Sequence, residues 1–270
     1  MSAPRILIIG ESCRDVFVYC DAMRLAPDMP IPVLHVIHQS ENPGMAMNVE
    51  RNIKAIYSAC DIVTNDNWQD ITKTRYMHDR TNHAFMRVDA GLSFGLADVR
   101  SLPLADYDII AVSDYDKGFL GEEDIQYICE NHKTVFIDTK KPVRAFAARA
   151  LFVKINEKEY QRSCPVAASL KRKIIMTKGE HGTEFLGESF PVDKIEVKDS
   201  SGAGDTFFAA LLVSFASNGN IHDAIRFANL CAAEVVQHRG VTAINPARRA
   251  DLRVASPKIE VRARRRREIA

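Results

Sequence analysis

Short apolar runs, each closed by a small or polar residue, recur along this chain. Arg5-Ile6-Leu7-Ile8-Ile9-Gly10 is the first. Its apolar positions are consecutive, which predicts a strand buried on both faces at the centre of a parallel sheet. Residues 108–113, 135–137, 151–155 and 174–176 repeat the form and lead into Asp114, Asp138, Asn156 and Thr177-Lys178. Ligands of open α/β sheets bind at the carboxyl ends of the strands, so these polar residues are expected on one rim. Segments that read as helices, 44–56 and 122–129, lie between runs, as crossovers require. Residues 16–19 and 33–37 are β-rich, and Pro27, Pro30 and Pro32 between them exclude a helix or central strand. They predict strands standing off the main body. The longest apolar run begins at Phe207 and is nearly apolar all round, which predicts a buried helix. A second helix over 221–237 carries a stripe of Ala224, Phe227, Ala228, Leu230, Cys231 and Val235, with Asn229 among them.

The chemistry is concentrated where the buried helix starts. Lys198-Asp199-Ser200-Ser201-Gly202-Ala203-Gly204-Asp205-Thr206 puts two glycines at the helix entry. Bare N–H groups there, with the positive end of the dipole, form an anion site. The glycines let a phosphate approach the backbone. Asp205 would repel that anion and so is not its ligand. It suits a base that takes a proton from a hydroxyl attacking the phosphate. An aspartate in a first turn is equally explained by the helix dipole alone. No G-x-G-x-x-G follows the first strand and no G-x-x-x-x-G-K-[ST] occurs, so neither a dinucleotide fingerprint nor a P-loop is expected.

Asp-Ser-Ser-Gly-Ala-Gly-Asp resembles the D-T-x-G-A-G-D signature of the ribokinase-like (PfkB) carbohydrate kinases. In the same order, Asn42-Pro43-Gly44-Met45-Ala46-Met47-Asn48 resembles their P-G-G-A-x-N turn, with Met45 at a family glycine. Asn156-Glu157-Lys158-Glu159 resembles N-x-x-E, and Thr177-Lys178-Gly179-Glu180-His181-Gly182 resembles T-x-G-x-x-G. One branch is nearer. Residues 24–33, RLAPDMPIPV, resemble the R-I-S-P-E-A-P-V-P-V of the heptose-7-phosphate kinases of ADP-heptose synthesis. Ser113-Asp114-Tyr115-Asp116-Lys117-Gly118 resembles their S-D-Y-x-K-G.

The resemblance implies an α/β fold: a three-layer α/β/α domain over residues 1–255, a central mostly parallel sheet, and a small β lid at about 15–37 that often forms a dimer contact. It implies transfer of the γ-phosphoryl of ATP, with Mg²⁺, to an alcohol group of a sugar or sugar phosphate. In the nearer branch this is D-glycero-D-manno-heptose 7-phosphate at O1. Another sugar or a nucleoside, or a regulatory protein with reduced turnover, remain alternatives. Asp205 is expected as the base and the N–H groups of Gly202, Ala203 and Gly204 as the anion hole. Asn156, Thr177, Lys178, Gly179, Gly182 and Asn229 are expected along the nucleotide, and Glu159 at the metal. Asp15, Gly44 and Asn48 are expected on the sugar, with Arg87, Lys117 and Lys140 on phosphate groups. Two segments are contracted against the family pattern, 58–70 and 161–170.

At 270 residues, 46% hydrophobic and 26% charged, the chain can bury a sizeable core, and a net charge of +1 gives no global bias toward nucleic acid or membrane. Six cysteines without C-x-x-C spacing suit a reducing cytoplasm. No apolar stretch is long enough to span a bilayer. Arg262, Arg264, Arg265, Arg266 and Arg267 make residues 256–270 a basic tail, expected to be solvated. No nucleotidyltransferase domain follows, so a stand-alone kinase is expected.

Overall fold

The computed structural model describes residues 3–91 and 93–253; the arginine-rich tail lies outside them. Twelve strands and six helices follow in chain order. They are β1 (Ile6–Gly10), β2 (Ser12–Asp21), β3 (His35–Met45), α1 (Ala46–Ile56), β4 (Cys60–Val63), β5 (Thr72–His78) and β6 (Ala84–Ala90). Then come β7 (Ile109–Asp114), α2 (Glu122–Asn131), β8 (Val135–Thr139), β9 (Phe152–Asn156), α3 (Glu157–Ser163), α4 (Ala168–Lys171) and β10 (Ile174–Thr177). The chain closes with β11 (Thr183–Phe185), β12 (Glu188–Phe190), α5 (Ala203–Asn218) and α6 (Ile221–Val235).

The larger sheet has the order β12-β11-β10-β9-β8-β7-β1-β4, parallel from β10 to β4 and antiparallel at β11 and β12. The consecutive apolar runs do occupy its centre. In β1, Ile6 and Ile8 pack into one core with α1, α5 and α6, while Leu7 and Ile9 pack into a second core with α2 on the opposite face. This is the three-layer α/β/α arrangement. Ten successive residues of α5, Asp205 to Ser214, are buried, as an all-round apolar helix between the sheet and its neighbours must be. No helix among the described residues is long and apolar enough to cross a membrane.

The second sheet, order β3-β2-β5-β6, stands apart from the first. It is wider than the expected lid at 15–37: β5 and β6 belong to it, and β3 runs on to Met45. Residues 42–45 therefore extend a strand opposite Ser12 to Asp15, and the following helix begins at Ala46, two residues later than expected. The proline segment 27–32 is largely exposed. The contracted region 58–70 retains β4 as the sheet edge and replaces the missing helix with a short 3-10 turn, Trp68–Asp70.

Period two divides the lid strands between two faces. Register pairs Asp15 with Lys73 and Phe17 with Arg75, and Arg75 in turn with Arg87. It pairs Val18 with Tyr76, Tyr76 with Met86, and Cys20 with Val36. One face thus carries Asp15, Lys73, Arg75 and Arg87 beside Phe17, and the other is mostly apolar.

Gly10 ends β1 where the chain turns into the lid. A Cβ there would meet the Ser113 carbonyl oxygen of β7 at 2.0 Å. Backbone cannot yield as a side-chain tip can, so Gly10→Ala should cost about 1–3 kcal/mol or more. A melting temperature lowered by at least about 2 °C is expected; an unchanged transition would show that the strands separate freely.

Candidate active site

Strands β7 to β10 run parallel, so their carboxyl ends share a rim, and a cavity of about 1250 Å³ opens between that rim, the lid and the start of α5. Gly202 caps α5 in the left-handed region, φ 78°. A Cβ on it would meet Asn48 Nδ2 at 2.9 Å and Val241 Cγ1 at 3.0 Å. Both the conformation and the space demand glycine. The Ala203 N–H turns back to the Ser200 carbonyl at 3.3 Å. The N–H groups of Gly202 and Gly204 have no such partner among the described residues, so they, rather than all three expected groups, are free to take an anion.

Asp205 follows in the first turn. Asn48 Nδ2 donates to its Oδ2 at 2.8 Å, and the Tyr115 hydroxyl donates to its Oδ1. Burial raises the Asp205 carboxyl above its usual value, and these two donors act in the opposite direction. Burial, with the Asp205 charge beside it, pushes the Tyr115 hydroxyl well up, so it remains a donor. Asn48 is held in turn by Asn52 on the next turn of α1, whose Nδ2 donates to the Asn48 carbonyl at 2.8 Å. Asn52 Oδ1 accepts from Thr206 at 3.2 Å and from the Ile244 N–H at 3.0 Å. Expected at a sugar, Asn48 instead positions a carboxylate. Gly44 likewise lies behind the wall: a Cβ there would meet Asp15 Oδ2 at 2.8 Å. It makes room for Asp15, which faces the cavity and pairs with Arg75 at 2.8 Å.

The rim carboxylates are not idle charges. Asp114 receives Lys141 Nζ at 2.7 Å and the Thr139 hydroxyl. Asp138 receives Lys154 Nζ at 2.7 Å. Glu11, buried and raised by that burial, accepts the N–H groups of Tyr115 and Lys117, each at 2.9 Å. This ties the 115–117 turn down, with Tyr115 over Asp205.

Glu159, expected at the metal, is held by partners within the chain. Its Oε2 accepts the Asn156 N–H at 2.7 Å, Asn156 Oδ1 accepts the Glu159 N–H at 2.9 Å, and Lys140 Nζ meets Oε1 at 2.7 Å. The reciprocal cap of α3 uses Oε2 and the Lys140 ammonium occupies Oε1, and no group of three acidic, histidine or cysteine ligands occurs among the described residues. Glu159 and Asn156 as placed do not form a metal seat.

The other half of the cavity is lined differently. Ile195, Val197, Ala232, Ala233 and Val236 supply apolar wall, and Thr177, Gly179 and Gly182 line the same cavity. Asn229 lines the cavity, but its Oδ1 accepts from Thr183 at 2.8 Å and its Nδ2 donates to the Phe190 carbonyl at 2.9 Å. Its polar ends hold β11 and β12 against α6 rather than reaching for a base. Lys178 points elsewhere, pairs with Glu184, and is no part of the wall.

Toward the lid the cavity is cationic. Arg87, Lys117 and Lys140 line it, joined by Lys73 and Arg75. Lys73 and Lys140 sit over the Tyr115 ring, 5.1 and 5.4 Å from its centroid. Lys73 and Arg75 were legible: T-K-T-R places both on one strand face. Lys154, also on the wall, was signalled only by being a lone lysine inside an apolar run. Met45 lies here too, buried at φ 61° and ψ −129°. That conformation costs a non-glycine residue about 1–3 kcal/mol.

Sequence and fold comparisons identify what the chain is similar to. Residues 97–248 match the pfkB family carbohydrate kinase profile. The chain is 28% identical over 90% of its length to Bifunctional protein HldE of Rhodopseudomonas palustris, and 29% identical over 87% to that of Helicobacter pylori. It spans only 62% and 63% of those relatives. In fold it is similar to a ribokinase from Thermotoga maritima (TM-score 0.68, 16% identity, 93% of this chain and 99% of that one). It is also similar to Arabidopsis thaliana ribokinase complexed with ribose and ATP (TM-score 0.65, 13% identity, 93% and 99%). With the profile covering more than half of its length, the chain belongs to the pfkB family of carbohydrate kinases and is a phosphotransferase acting on a sugar hydroxyl.

Proposed function

We propose that the chain is an ATP-dependent kinase for a sugar that already carries a phosphate, with D-glycero-D-manno-heptose 7-phosphate, phosphorylated at O1, as its acceptor. The observation that supports this reading is the cationic lid end of the cavity: Lys73, Arg75, Arg87 and Lys117 face the space beside Asp205. Arg75 is held by Asp15 and Arg87 by Asp89, while a neutral sugar would leave Lys73 and Lys117 unanswered; arginine also suits bidentate contact with phosphate. The similarity to Bifunctional protein HldE is consistent with the same acceptor.

Asp205 takes the proton of the attacking hydroxyl, whose oxygen forms the new bond to phosphorus as the bond to ADP breaks. The Gly202 and Gly204 N–H groups face the charge that builds on the transferred phosphoryl. Asn48 and Tyr115 hold the base in place. ATP supplies the phosphoryl group. An ADP-release assay over sugars and sugar phosphates tests the acceptor. Turnover confined to neutral sugars or nucleosides would overturn it, and none at all would favour a regulatory protein.

Asp205→Asn should lower kcat at least about a hundredfold while the melting temperature stays close to that of the wild type. A normal kcat with reduced stability would reduce Asp205 to a partner of the helix dipole. Because burial raises its pKa, the base is lost as pH falls through a value above the usual 3.8. The acidic limb of kcat should lie there. Tyr115→Phe removes a donor that favours the ionised form, so the limb should move to higher pH; an unmoved limb would separate Tyr115 from the base.

We also propose that the chain pairs through the apolar face of its lid, where Val36, Met86 and Val88 are about half exposed. Light scattering should show a dimer that Val88→Lys dissociates. A wild-type monomer at micromolar concentration would remove this assignment.

A further inference from the structure

One cation at the head of α5 is left idle by the chemistry above. Lys154 sits in β9 between the fully buried Val153 and Ile155, and is itself 3% exposed. An ammonium there needs a partner, and Asp138 on the neighbouring strand supplies Oδ2 at 2.7 Å. The pair is nevertheless open. An ammonium has three donors, and Asp138 is the one hydrogen-bond partner Lys154 has among the described residues. The second Asp138 oxygen, also buried, has none. The unused donors belong to a side chain on the cavity wall. Its Nζ lies only 3.1 Å from where a Cβ on Gly204 would be. Glycine at 204 thus does more than free an N–H: it lets a full positive charge lie against the first turn of α5. The charge is near enough to Asp205 to favour its ionised form.

Resting on the kinase reading, we propose that Lys154 is a further catalytic residue, which donates to the phosphoryl group in transit while Asp138 holds its ammonium against α5. The N–H groups of Gly202 and Gly204 offer partial charges. Lys154 adds a whole one, fixed beforehand in a site with little water, where such a donor stabilises developing charge most. A compact point charge on a flexible stem suits the narrow gap at Gly204. Asp138 is then a positioning residue, and its unpartnered oxygen marks a pair built to hold the cation at the wall.

Lys154→Met alone strands the Asp138 carboxylate in the interior, so the informative variant is Lys154→Met with Asp138→Asn. Two measurements apply to it: calorimetric titration with ATP and with ADP in the absence of sugar, and turnover. The double variant should bind ADP nearly as the wild type does, yet lose about tenfold in its affinity for ATP relative to ADP, the worth of a charged hydrogen bond. Its kcat should fall at least about a hundredfold, and by more than that of Asp138→Asn alone, which keeps the cation. A double variant with the wild-type ATP-to-ADP ratio and wild-type turnover would overturn the proposal and leave an ion pair of the fold. If the double variant does not fold, Lys154→Arg decides, because it keeps the charge and displaces it. A shifted ratio with reduced turnover supports the proposal, and an unchanged ratio and turnover overturn it. Failure of the kinase reading looks different. The wild type would then phosphorylate nothing, while the ATP-to-ADP ratio would still report on Lys154.

Discussion

A carboxylate buried at the head of a buried helix is the constraint on which this structure turns. Asp205 gains from the dipole of α5 but loses its water. It therefore needs donors from other elements, and they come from far along the chain: Asn48 on α1 and Tyr115 after β7. Each donor is itself held by a second group. Asn52 holds Asn48, and Glu11 holds the backbone at Tyr115. One ionisable group thus dictates how α1, α5, β1 and β7 meet, and a network so fully satisfied rigidifies the site it serves.

The same rule shapes the rest of the rim. Strand ends in this architecture collect acidic residues, and acidic residues close together repel. Here Asp114 and Asp138 are offset by Lys141 and Lys154. Glu159 is offset by Lys140 and the cap of α3. The cavity wall thus sets cations and N–H groups beside Asp15 and Asp205, while Asp114, Asp138 and Glu159 are matched by lysines.

Much of the fold could be read along the chain, because consecutive apolar residues such as Ile6 to Ile9 admit few positions other than a central strand. The head of α5 was equally plain, since glycine spacing and a following aspartate leave a local signature. What escaped was nonlocal or ambiguous. Glu159 and Asn229 have the right types at the right spacing, yet their polar atoms are spent on a cap and a hairpin, which depends on partners distant in sequence. Asn48 faces the carboxylate rather than the cavity because α1 packs on α5. Tyr115 stood inside a recognised motif, but only the Glu11 contact to its turn shows why it reaches Asp205. β5 joined the lid through pairing with β2, and β6 through pairing with β5, and pairing leaves no trace in either strand alone.

The alternating lid has an evolutionary consequence. Lys73, Arg75 and Arg87 share strands with Tyr76, Met86 and Val88 but point the opposite way. Point substitutions can therefore retune the cavity wall without touching the outer face, and the reverse. Insertion or deletion of one residue within β5 or β6 would exchange the two sets, turning apolar side chains inward and charges outward. Lineages descending from such a chain are free to drift in side-chain chemistry at alternate positions, while the lengths of these strands stay frozen and variation in length is confined to the turns that join them.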